Sequence, residues 1–138
     1  MFFNINLLFN GNCQEAFEFY HQILGGEAFN PTITYGEIDP EISDELKDKI
    51  YYTELSFGDF TLRGQDEALS GSFLDRTNTI INLDFDSSLV GEALYQDLSD
   101  GGTIIEPLDT LIDGVQYSKF IDKFGITWEI LILSLIHI

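Results

Sequence analysis

Cysteine, basic side chains and long apolar runs are all scarce in this 138-residue chain. The one cysteine, Cys13, excludes an internal disulfide and with it the class of small stapled secreted domains, so a cytoplasmic protein is expected. Six Lys plus Arg stand against twenty-four Asp plus Glu, for a formal charge of −18. Such a surface repels nucleic-acid phosphate and anionic membrane, so neither is expected as a partner, whereas a cationic ligand would be attracted. No apolar run reaches the roughly 18–20 residues of a membrane-spanning helix. The first residues lack the basic-then-apolar pattern of a signal peptide. Missing too are a Ser-His-Asp arrangement, a phosphate-binding loop, a dinucleotide glycine pattern and a zinc-type Cys/His cluster.

What is present suffices for a core. Hydrophobic residues make up 44% of the chain and aromatics 14%, in a length that suits one compact domain or two small similar halves. Residues Met1–Phe9 alternate as a strand. Asn12 is a candidate N-cap, with Glu15 placed to complete a capping box. Cys13, Phe17, Tyr20 and Leu24 then form one helical stripe, with Ala16 and Ile23 beside it, and Gly25-Gly26 ends the helix. The stretch "EAFNPTITYGEI" reads as a strand. Residues 37–49 read as an acidic loop with one helical turn, and "IYYTELSFGDFTLRGQD" as a hairpin around Gly58-Asp59.

After a linker at about 69–77 the pattern restarts. "NTIINLDFD" reads as a strand. A helix capped by Ser87 or Ser88 follows, burying Val90, Ala93, Leu94 and Leu98 and ending at Gly101-Gly102. "GTIIEPL" is a strand, and "VQYSKFIDKFGITWEILIL" a hairpin turning at Asp122–Gly125. The order is βαβββ twice, as module 1 at about 1–68 and module 2 at about 78–133. Phe57-Gly58 and Phe124-Gly125 fall in the same hairpin turn of each half, and each helix stops at Gly-Gly. The apolar tail Ser134–Ile138 either extends the last strand into a dimer seam or is a foreign extension; both readings stay open. The fold class is α+β, with each half-sheet covered by a helix on one side and the bare sides expected to form a concave trough.

"LLFNGNCQEAFEFYHQILGG", "ITYGEI", "NLDFD" and "FIDKFGITWEI" resemble the PhnB-like branch of the glyoxalase/bleomycin-resistance/extradiol-dioxygenase superfamily, the vicinal oxygen chelate fold. The resemblance covers about Phe3 to Ile132. It implies a homodimer and a small-molecule ligand in the trough. Metal-using members hold a divalent cation there, through His, Glu or Gln on four strands. The corresponding positions fall at or near Ile5, Arg63, Ile80 and Glu129. Two of these carry no donor atom and Arg63 repels a cation, so one carboxylate is left, too little to hold an ion against water. No metal or other cofactor is therefore expected.

Glu129 remains as the candidate catalytic residue. Arg63, Glu129, Tyr52, Glu54, Ile5 and Ile80 are the candidate ligand-binding set, with Asn82 and Asp84 as strand neighbours. Glu129 and Arg63 form either an internal ion pair or separate ligand contacts, since Arg63 can clamp a carboxylate or phosphate. Tyr117, Phe120 and Trp128 read as core or dimer seam, Cys13 as buried, and His21 as exposed. Two other functions fit the resemblance. One is a metal-dependent lyase, isomerase or dioxygenase. The other is a protein that sequesters a cationic antibiotic, which the −18 charge would favour. A demethylubiquinone methyltransferase activity has no visible methyl-donor site.

Overall fold

The computed structural model describes residues 4–28, 32–67, 79–111 and 114–133. The linker and the tail beyond Leu133 lie outside them. The chain divides into two compact units, Met1–Phe73 and Leu74–Ile138.

The first unit runs β1 (Ile5–Phe9), α1 (Cys13–Leu24), β2 (Glu27–Ala28), β3 (Ile33–Thr34), α2 (Tyr35–Ile38), β4 (Ile50–Phe57) and β5 (Phe60–Asp66). The second runs β6 (Ile80–Phe85), α3 (Ser88–Ser99), β7 (Thr103–Thr110), β8 (Gln116–Ile121) and β9 (Thr127–Ile132). Strand order is β1-β5-β4-β2 in one sheet, with β3 also on β4, and β6-β9-β8-β7 in the other. In each, the first strand lies parallel to the last, a pairing no hairpin can make, so a helix carries the chain across. The last two strands form an antiparallel hairpin whose turn holds a glycine at positive φ, Gly58 at 62° and Gly125 at 91°. The α+β, twice-βαβββ architecture expected from element order is present.

Alternation sets two faces in each sheet. In the first unit Leu7, Phe9, Thr53, Leu55, Leu62 and Asp66 are buried, on the side where α1 packs with Cys13, Ala16, Phe17 and Tyr20. Gly64 makes room for that approach, since a Cβ there would collide with Phe17 and lie 3.0 Å from Cys13 Sγ. Burial raises the Cys13 thiol pKa, and the nearby Asp66 charge adds to the rise. In the second unit α3 lies against Trp128, Ile130 and Ile132, all fully buried.

Three local expectations change. Asn12 makes no side-chain capping bond. The free amides at the start of α1 are instead taken by Asp66, whose Oδ1 accepts from Gly11 N at 3.0 Å and Cys13 N at 2.9 Å, while Oδ2 accepts from Ile50 N at 2.9 Å. A charged acceptor at a helix start outcompetes a neutral local one. Next, "ITYGEI" leaves the strand after Thr34, because Thr34 and Glu37 form a reciprocal capping box and start α2. Last, α3 buries Gly91, Tyr95, Leu98 and Ser99 rather than the stripe containing Val90, Ala93 and Leu94. Gly91 lets the helix close onto Ile132, and Tyr95 meets Phe120 edge-to-face at 5.9 Å. Among the described residues no helix is long and apolar enough to cross a membrane.

Candidate functional site

The side of each sheet opposite its helix is built from the remaining alternate residues. In the first unit this open face carries Tyr52 and Glu54 on β4, and Arg63 and Gln65 on β5. The β4–β5 register sets Glu54 directly across from Arg63. The Tyr52 hydroxyl donates to Glu54 Oε2 at 2.8 Å. Arg63 Nε lies 3.5 Å from the same oxygen, and the guanidinium stands 5.6 Å over the Tyr52 ring. Burial raises the Tyr52 phenol pKa, Glu54 adds to the rise, and Arg63 opposes it. Beside this group Asn6 Nδ2 donates to Gln65 Oε1 at 2.9 Å.

In the second unit the open face carries Tyr117 and Lys119 on β8, Glu129 on β9, and Ile80, Asn82 and Asp84 on β6. Lys119 is directly across from Glu129, and Asn82 flanks Glu129 on the other side. The Tyr117 hydroxyl donates to Glu129 Oε2 at 2.6 Å. That bond, then burial and the charges of Glu129 and Glu106, push the Tyr117 pKa up to about 12. The phenol therefore keeps its proton at neutral pH and can only donate to the carboxylate.

The candidate residues divide accordingly. Tyr52, Glu54 and Arg63 come together on one open face, and Glu129 and Ile80 lie on the other. Ile5 does not reach an open face. It alternates in phase with Leu7 and Phe9 and sits across from buried Leu62, so it belongs to the helix side. Arg63 and Glu129, expected as a mutual ion pair or as separate ligand contacts, each have a partner inside their own unit, Glu54 for Arg63 and Tyr117 for Glu129. Tyr117 is no core residue. It is half-exposed on the open face, and only the β8–β9 register reveals its place next to Glu129. A separate recess of about 320 Å³ lies between α1 and the β3–β4 ladder, lined by Phe17, Glu18, His21, Thr32 and Thr53. Glu54 also lines it, whereas Tyr52 and Arg63 do not.

No protein-family model matches the chain, and no curated protein matches it. Solved structures do. Protein PA1353 from Pseudomonas aeruginosa is 34% identical, with a TM-score of 0.84 over 94% of this chain and 96% of that one. A PhnB protein from Bacillus cereus is 17% identical, with a TM-score of 0.79 over 94% and 98%. A glyoxalase/bleomycin resistance protein/dioxygenase family enzyme from Burkholderia phytofirmans PsJN is 13% identical, with a TM-score of 0.66 over 94% and 96%. The chain belongs to the vicinal oxygen chelate superfamily. Its neighbours in that superfamily include PhnB-like proteins.

The superfamily's divalent ion does not fit the residues found here. Ile5 is off the open face and Ile80 has no donor; the open-face positions beside Arg63 and Glu129 carry the neutral amides Asn6 and Asn82, and Arg63 brings a positive charge. Among the described residues no group of three or more His, Cys, Asp or Glu is placed to hold a metal. Glu129 alone, already accepting from Tyr117, is a poor anchor for a hard cation.

Proposed function

We propose that this vicinal oxygen chelate protein binds a small polar molecule on its open sheet faces without the superfamily's divalent ion. The observation that supports this most is the repeated constellation. Each open face shows a tyrosine donating to a glutamate that lies across from a basic residue, Tyr52–Glu54–Arg63 in one unit and Tyr117–Glu129–Lys119 in the other. Converging donors and acceptors on a half-buried surface are what a ligand site offers. Glu129 is the candidate base for any proton transfer, with Tyr117 fixing its orientation. The same reading keeps the protein in the cytoplasm and as a homodimer, for which sedimentation is the direct check.

Amide shifts of the labelled protein during titration with a metabolite library test the proposal. Saturable shifts on β4, β5, β8 and β9 are expected, weakened in Glu129→Gln. Shifts confined to α1 and α3, with the open faces silent, would count against it.

One observation favours a second reading, sequestration of a cationic molecule. The open face of the second unit holds Asp84, Glu106, Asp109 and Glu129 with a single lysine, Lys119, which lies between Glu106 and Glu129. That reading expects thermal shifts with cationic glycopeptides that fade with salt and are missing for neutral controls.

A further inference from the structure

The acids of this chain are not spread evenly over its two open faces, and the exception is informative. On the first unit's open face the charged residues among those described are two acids and one base, Glu27 across from Ser56 at the β2 edge, and Glu54 with Arg63, beside the neutral Asn6, Tyr52, Ser56, Thr61 and Gln65. The second unit's open face has four carboxylates against one lysine. In a chain of −18 the first face thus carries one excess negative charge against three on the second, with an arginine at its centre.

Arg63 has a donor to spare, although its guanidinium also interacts with the Tyr52 hydroxyl. Its Nε is a buried nitrogen with no hydrogen-bond partner. The 3.5 Å approach to Glu54 Oε2 is an ion-pair contact and not a hydrogen bond, and the same oxygen accepts the Tyr52 hydroxyl at 2.8 Å. The side chain is 42% exposed, and its Cζ stands 5.6 Å from the centre of the Tyr52 ring. A planar fork of donors, with its buried Nε lacking an acceptor, suits a two-oxygen anion.

We propose that Arg63 anchors an oxyanion, a carboxylate or a phosphate, of the molecule that binds the first unit's open face. This rests on the small-molecule reading above and names its ligand class. Glu54 acts as the placeholder. Its carboxylate balances the guanidinium when no ligand is bound, and Tyr52 holds it slightly too far away to satisfy the arginine.

The test uses the full chain and the Arg63 Nε–H resonance in nitrogen-15 spectra. Arg63 and Arg76 are the only arginines, so Arg63→Lys assigns the signal by its loss. The probes are benzoate and phenyl phosphate, with benzamide as the neutral control. Benzoate or phenyl phosphate should shift the signal saturably, and benzamide should not. Whichever binds tighter assigns the anion as carboxylate or phosphate, and equal affinities leave a general oxyanion site. On backbone amides, Arg63→Gln should abolish binding, and Arg63→Lys should weaken it about tenfold by replacing a fork with a point charge. Glu54→Gln should tighten it severalfold by removing the competing acid, a gain that a merely structural pair would not give. Benzamide binding as well as benzoate, or unchanged affinity in Arg63→Gln, overturns the anchor. A library hit lost in Glu129→Gln but kept in Arg63→Gln overturns the anchor and leaves the small-molecule reading standing. No saturable shift on either open face with any probe or library member, up to roughly 10 mM, overturns both.

Discussion

The two units repeat a fold but not a charge pattern. On β4 the sequence is Tyr52-Thr53-Glu54, with Arg63 across the hairpin; on β8 it is Tyr117-Ser118-Lys119, with Glu129 across. Acid and base have exchanged strands, while the tyrosine keeps its place two residues before the cross-strand pair. In both cases the phenol donates to the carboxylate wherever it sits, along the strand in one unit and across the hairpin in the other. Backbone register fixes where polar groups can meet, and side-chain identity decides which of them is the anion. The units also differ in how a buried aspartate is used. Asp66 ties the start of α1 to the start of β4, whereas Asp122 holds a turn, accepting from Phe124 N, Ile126 N and Trp128 Nε1.

The largest effect expected concerns that first aspartate. Asp66→Ala strands three backbone amides, two of them in buried bonds, and should cost about 3 kcal/mol or more in urea unfolding. Helix–sheet spacing comes next. At Gly64 a methyl group meets a ring and a sulfur held on both sides, so Gly64→Ala should cost about 1–3 kcal/mol. At Gly91 it meets Cγ1 and Cδ1 of buried Ile132 at 2.6 Å, a clash that gained helix propensity partly offsets, so Gly91→Ala should cost less than Gly64→Ala, up to about 2 kcal/mol.

Tyr117→Phe removes the short bond to Glu129 and should cost about 1 kcal/mol at neutral pH. It also predicts a pH dependence. The folded-state pKa of about 12 lies above the ordinary tyrosine value of about 10. The folded state therefore holds that proton more tightly. The stabilisation is complete below about pH 10 and is lost as pH rises through the folded value. Urea midpoints measured on either side of pH 10 should fall less in Tyr117→Phe than in wild type.

The smallest contrast is between the two helix starts. Ser87 Oγ accepts from Val90 N at 3.3 Å, so Ser87→Ala should cost up to about 1 kcal/mol. Asn12 makes no such bond, and Asn12→Ala should cost under about 0.5 kcal/mol.

These contrasts track what could be read from the chain. Local signals were legible: the βαβββ order, the hairpin glycines, the buried side of α1, and Ser87 as a cap. Strand alternation also put Tyr52 with Glu54, and Glu129 opposite in phase to Trp128. Interactions set by distant register were not legible. Asp66 caps a helix 53 residues earlier, and no local pattern announces it. Tyr117 looked like core because aromatic residues in strands usually are, until pairing with β9 placed it by a carboxylate. Ile5 was placed by resemblance, one residue out of phase with the alternation of β1. The face of α3 turned on a glycine, whose lack of a side chain leaves no mark in a hydrophobic stripe.

The central claim is that the open faces bind their ligand with side chains alone. Thermal-shift titration of the wild-type protein with a ligand from the library screen, in excess chelator and again with added divalent ions, tests it most directly. The account predicts the same saturating shift in both. A shift that vanishes in chelator and returns with a stoichiometric divalent ion would contradict it.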